Sequence, residues 1–340
     1  MIKNFIFKKI LLIYYIKVSS IGCKISILNI YFKYLFKIFY IIKNMIYKLK
    51  DWVDINKINW HSLSSNPNAI HLLEKNMDKI NWIWLSRDPN AIPILSKNMD
   101  KICWNGLSQN PNAIHILRQN MDKINWYLLS SNPNAIHLLE KNMDKIDWSM
   151  LSTNPNAIHL LEKNHHKIDW YWLSRNPNAI HLLEKNMDKI YWDGLAFNPN
   201  AIHLLEENMD KIHWFVLSFN PNAIHLLEKN NDKINWKNLS KNVNAIHLLS
   251  KNNNKICWNS LSLNRNAIEL LEKNMDKIDW KVLSRNPSIF EYDFQALEKR
   301  CNVYKEELIK KALHPSIIMR YLNHSDLKDK DLEYILDNCF

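Results

Sequence analysis

The sequence predicts an all-α fold, an α-solenoid of about ten 22-residue repeats, and three observations lead there. Tryptophan recurs at 60, 82, 104, 126, 148, 170, 192, 214, 236, 258 and 280, a spacing of 22 residues without insertion, which gives ten full units and the start of an eleventh. A fixed period of about twenty to fifty residues marks an array whose units bury their apolar sides against one another. Each unit carries its own helix start and stop signals, and the whole chain has only three glycines.

The first unit, "NWHSLSSNPNAIHLLEKNMDKI" from Asn59 to Ile80, shows the elements in order. Asn59 precedes a short helix in which Trp60 and Leu63 lie one turn apart. Asn66 and Pro67 then form an N-cap followed by a proline that has no N–H to lose. Asp88 does the same capping work in the second unit. Ala69, Ile70, Leu72 and Leu73 make an apolar stripe at helical spacing, and Asn76 is expected to stop the helix in a left-handed conformation where glycine is scarce. Each unit therefore reads as two short antiparallel helices, with the tryptophans as a buried ladder that holds units together. Stacking at about 8 to 10 Å per unit gives a rod or spiral roughly 80 to 100 Å long. The alternative is a leucine-rich-repeat-like α/β horseshoe, which suits a 22-residue period but lacks its LxLxxN strand.

Three segments follow. Residues 45–287 are the repeat solenoid, residues 288–340 lose the period and read as helices capping its open end, and residues 1–44 form a basic hydrophobic extension outside the fold. The net charge of +11 is concentrated in the first fifty residues, which hold ten Lys and no Asp, Glu or Arg. The remainder has 35 basic and 34 acidic residues, so its near neutrality argues against nucleic acid as the partner. The leader is a poor membrane span, since its longest apolar run is Ile10 to Ile16; a surface helix presenting Lys33 and Lys37 to anionic lipid is the alternative to a dispensable extension. Five scattered cysteines without a CxxC pair fit reduced thiols in a cytosol-like compartment.

The wording "WxxLSxNPNAIHLLEKNMDKI", with the closing stretch "NPSIFEYDFQALEKRCNVYKEELIKKALHPSIIMRYL", resembles repeat proteins of giant amoeba-infecting DNA viruses of the mimivirus type over residues 45–322. "MIYKLKDWVDINKINW" at Met45 is similar to where such proteins begin. The resemblance implies a viral protein acting in the host cytoplasm and nothing catalytic.

No catalytic, cofactor or metal site is expected. There is no nucleophile elbow, P-loop, HExxH or Gly-rich phosphate loop. The histidine of "AIH" recurs eight times, from His71 to His247, and reads as a half-exposed scaffold position or a pH-sensitive seam instead of a metal ladder, because stacked copies stand too far apart to share an ion. The variable positions are more telling: the first, second and fifth residues after each Trp fall opposite the buried pair on a helical wheel. They define a candidate partner-binding stripe of Trp84, Arg87, Tyr127, Tyr171, Trp172, Arg175, Phe197, Phe215 and Phe219. Exposed aromatics with Arg are the residues of interface hot spots, so a non-enzymatic protein-binding scaffold is the leading reading. The alternatives are a single-stranded nucleic-acid-binding solenoid, in which the same rings stack on bases, and a purely structural or self-assembling protein.

Overall fold

The computed structural model describes residues 47–299. Tyr47–Glu291 forms one compact unit; the other, Met1–Ile46 with Tyr292–Phe340, is described only over 292–299, of which 294–299 are helical. The expected extension 1–44 and most of the expected cap 288–340 lie outside the described residues.

The repeat region is an all-α array with a regular period. Each unit contains a Trp helix (Trp60–Leu63 in the first) and a second helix (Ile70–Glu74). The structure adds a third element to the two expected, a 3-10 turn such as Met77–Lys79. Asn59 caps the Trp helix by accepting from Ser62 N–H at 2.8 Å. Asn66 accepts from Asn68 N–H at 3.1 Å, so it caps a turn through Pro67 and the α-helix proper starts at Ile70.

Two expectations are corrected. Asn76 is not left-handed, since its φ is −138°, and no described residue has a positive φ. Its amide instead donates to Leu72 O at 2.9 Å, and this side-chain bond to an orphan carbonyl closes the helix. The tryptophans are half-buried, not the sealed core. Lys79 Nζ lies 4.4 Å from the Trp60 ring centroid and Lys189 Nζ 4.9 Å from that of Trp170, a cation–π cover repeated along the array. The sealed columns are Leu63, Ala69 and Leu73 and their copies, all at 0 % exposure in the first unit.

Polar bonds, two of them buried at each such joint, connect neighbouring units. Asn154 Nδ2 donates to Ser130 O at 3.0 Å and Asn132 O at 2.9 Å, Asn156 Nδ2 to Pro133 O at 2.9 Å, and Asp147 N–H to Ser130 Oγ at 3.0 Å. The same bonds connect the last unit to the first. Asn66 Nδ2 donates to Ser284 O at 3.0 Å and Asn286 O at 2.9 Å, Asn68 Nδ2 to Pro287 O at 2.9 Å, and Asn59 N–H to Ser284 Oγ at 2.9 Å. Lys57 covers Trp280 at 5.2 Å just as Lys79 covers Trp60. The eleven units therefore close into a ring, which replaces the expected rod or spiral.

The eleventh unit is assembled from both flanks of the array. Its Trp helix, Trp280–Leu283, and the turn Pro287–Ile289 come from the C-terminal side, while its 3-10 turn, Ile55–Lys57, comes from the N-terminal side. Where its second helix would stand, β1 (Tyr47–Leu49) pairs with β2 (Phe290–Tyr292). Lys50 N–H donates to Ile289 O at 2.9 Å, and Glu291 takes ion pairs from Lys48 at 3.1 Å and Lys50 at 3.6 Å. The horseshoe alternative fails because no repeat unit contributes a strand of its own; among the described residues strands occur only at this closure.

Trp helices of adjacent units approach more closely than second helices do. A Cβ built on Gly106 would stand 3.0 Å from Ile83 O, and one on Gly194 3.0 Å from Tyr171 O. In a closed ring the shorter spacing belongs to the layer nearer the axis, so the Trp helices form the inner layer and the second helices the outer one.

Candidate functional site

The three variable positions do not share one surface. The first position is exposed, with Tyr127 and Phe215 each at 53 % and Tyr171 at 41 %. The second position faces the preceding unit's Trp helix, so Trp84 and Trp172 are half-buried and Val216 is buried, contrary to the exposed stripe expected. The helical wheel located one packed side, toward the core, but a helix inside a ring is also flanked by a copy of itself. At the fifth position Arg87 is exposed, while Arg175, Phe197 and Phe219 are half-buried.

Five of the nine residues nevertheless meet in a continuous row on the Trp-helix layer. Tyr171 lies 5.1 Å from Trp172 in an edge contact. The Arg175 guanidinium stands 5.4 Å from the Trp172 ring and 4.3 Å from that of Phe197. Phe197 stacks on Phe219 at 5.9 Å and 28°, and Lys241 Nζ continues the row 5.5 Å from Phe219. Cations over ring faces are attracted by the negative face of the π-quadrupole and hold rings in fixed attitudes, so the row is preorganised. Trp84 and Arg87 belong to a separate cluster: Arg285 lies 5.3 Å from the Trp84 ring, and Arg87 donates to Gln109 Oε1. Phe215 packs edge-on against His213 at 6.3 Å, and Tyr127 stands elsewhere, in the fourth unit.

Tyr191 escaped the sequence reading. It extends the row, 5.6 Å from Tyr171, and is 54 % exposed. It occupies a helix N-cap position, where a side chain unable to accept a backbone N–H was the available signal. A groove of about 670 Å³ runs beside these two tyrosines, lined also by His166, Lys167, Asp169 and Asp188.

The outer layer carries the recurring histidines. His159, His181, His203, His225 and His247 each place Nε2 on the glutamate of the preceding unit, at distances from 3.1 Å down to 2.7 Å. Local sequence explains where this ladder stops. The position that would partner His137 in the preceding unit is Arg118, and His137 turns to its own Glu140 at 3.2 Å; where Glu269 replaces the histidine the preceding partner position is Ser250. Glu140 is shared by His159 and His137, whose hydrogen bonds hold its carboxyl below the ordinary value. Among the described residues no group of three or more His, Cys, Asp or Glu is placed to hold a metal ion, and no helix is long and apolar enough to cross a membrane.

Asp88 caps as expected, accepting from Asn90 N–H at 2.8 Å, but it cannot reproduce the amide's bonds to the neighbouring unit. It is 5 % exposed and its Oδ2 is buried without a hydrogen-bond partner. Burial pushes its carboxyl up to about 6, against the lowering effect of the Asn90 N–H.

Comparison with known proteins returned no matching family model, no matching curated protein and no matching solved structure.

Proposed function

We propose that the chain is a non-enzymatic, protein-binding ring that presents its partner with the row from Tyr191 to Lys241. The observation that supports this reading is the row itself: rigid aromatic rings interleaved with Arg175 and Lys241, with Tyr171 and Tyr191 open to solvent. Large rings with few rotatable bonds bury area at small entropic cost, and with Arg they dominate interface hot spots. The resemblance of the repeat wording to giant-virus repeat proteins favours host or viral proteins as the partners. Stacked Phe197 and Phe219 also favour a second reading, in which bases of single-stranded nucleic acid continue the stack.

Affinity capture with the intact protein and with Tyr171→Ala and Tyr191→Ala tests the proposal. A protein captured by the parent and lost from both variants, at unchanged melting temperature, supports it. Capture unaffected by either change refutes the row as the contact surface. A steep fall in affinity across a salt series, with nucleic acid recovered, favours the second reading.

A further inference from the structure

Ten of the eleven joints in the ring share one device. A buried asparagine donates its amide to two carbonyls of the preceding unit, at 2.8 to 3.2 Å. The joint between the first and second units has Asp88 in that place. Its Oδ1 does what the asparagine Oδ1 does, and its Oδ2 takes the position of the donating Nδ2 with no partner. The 22-residue period identifies the carbonyls expected to receive the missing donor as Ser64 O and Asn66 O. A carboxylate oxygen set against carbonyl oxygens has nothing to donate, whereas a protonated carboxyl has one O–H to give.

We propose that this joint is a proton-operated latch: with Asp88 protonated, Oδ2–H donates to Ser64 O or Asn66 O and the joint closes like the other ten, and with Asp88 ionised the donor is lost and the ring loosens there. The surroundings agree. Burial is the largest influence on the carboxyl and the Asn90 N–H opposes it. The cations of the joint are engaged elsewhere, Arg87 on Gln109 Oε1 and Arg285 over the Trp84 ring. On the far side, Asn110 Nδ2 donates to Asp88 O at 2.8 Å, a backbone bond that protonation leaves intact. A carboxyl at about 6 instead of the ordinary 3.8 holds its proton about a hundredfold more tightly in the fold. A raised carboxyl favours folding most below its unfolded value, and this contribution is lost as pH rises through about 6.

The test compares the full chain with Asp88→Asn and Asn132→Asp in thermal melts from pH 4.5 to 8. The parent should melt progressively lower as pH rises through 6. Asp88→Asn should lose that dependence and melt at or above the parent throughout, and Asn132→Asp, which installs a second acid joint, should steepen it. The carboxyl carbon resonance of Asp88, followed by NMR in aspartate-labelled parent protein, reads the titration without any variant having to fold. An Asp88 resonance titrating in the ordinary carboxylate range, or an Asp88→Asn protein with the parent's pH dependence, overturns the latch.

Discussion

Replacing Asn66 with Ala distinguishes a closed ring from an open array. In the ring Asn66 is fully buried, accepts from Asn68 N–H, and donates to Ser284 O and Asn286 O across the closing joint. Truncation removes a cap worth about 1 kcal/mol. It also strips Ser284 O of a donor, at about 1 to 3 kcal/mol when nothing replaces it, and takes one of two donors from Asn286 O, which keeps the Ile289 N–H, at about 0.5 to 1.5 kcal/mol. The expected loss is therefore roughly 3 to 5 kcal/mol, allowing for partial relaxation. Asn154 has the same bonds in mid-array, so Asn154→Ala supplies the reference. In an open solenoid Asn66 would belong to the terminal unit with water on one side, and its replacement would cost about the cap alone, near 1 kcal/mol. Urea unfolding followed by tryptophan fluorescence measures both. Equal losses support closure; a loss near 1 kcal/mol for Asn66→Ala beside 3 or more for Asn154→Ala refutes it.

At pH 7.5 Asp88→Asn should stabilise the protein by about 3 kcal/mol, the linkage value for a carboxyl raised from 3.8 to about 6, and the gain should shrink toward zero below pH 4, as paired urea unfolding will show. Glu140 acts in the opposite sense: its lowered carboxyl contributes stability that is present above the ordinary carboxylate value and lost as pH falls through the lowered one, so Glu140→Gln should lower the melting temperature at pH 7 and by progressively less as the solution is acidified. Phe215→Ala should leave the melting temperature within a degree or so of the parent, whereas Trp172→Ala, which empties a half-buried seam against Tyr171 and Arg175, should lower it. A chain beginning at Met45 keeps β1 and Ile55–Lys57 and should unfold in one cooperative transition; a chain beginning at Trp60 lacks both and should unfold gradually, as circular dichroism will record.

The unit was readable because its signals are local. Period, caps and apolar spacing gave the Trp helix, the second helix and the boundary between them. "NMDKI" was harder, since three residues of 3-10 helix carry too few positions to show a periodicity. Closure was invisible for a different reason. The curvature of a stack comes from small angles repeated at every joint, and no single residue states them. A sign was present in "INKINW", which copies the end of a repeat, "DKINW", before any repeat has begun. Of the candidate stripe, the exposure expected of Arg87, Tyr127, Tyr171 and Phe215 holds, and that expected of the other five residues does not. Trp172 is half-buried because a neighbouring copy of its own helix stands beside it, a contact that a single-helix wheel omits.

The composite eleventh unit also sets a clock for the newly made chain. Asn59 meets its partner Ser284 across 225 residues. At a synthesis rate of about 5 to 20 residues per second, that interval lasts roughly 11 to 45 seconds. Throughout it, the first unit has emerged from the ribosome while the Asn66 and Asn68 amides still lack the carbonyls of unit eleven that they will later meet. A nascent chain whose first unit still lacks its closing neighbour is open to pairing with a second nascent chain on the same message. Intramolecular closure must outrun that encounter, so slow translation or crowded polysomes should favour chains joined end to end over single rings.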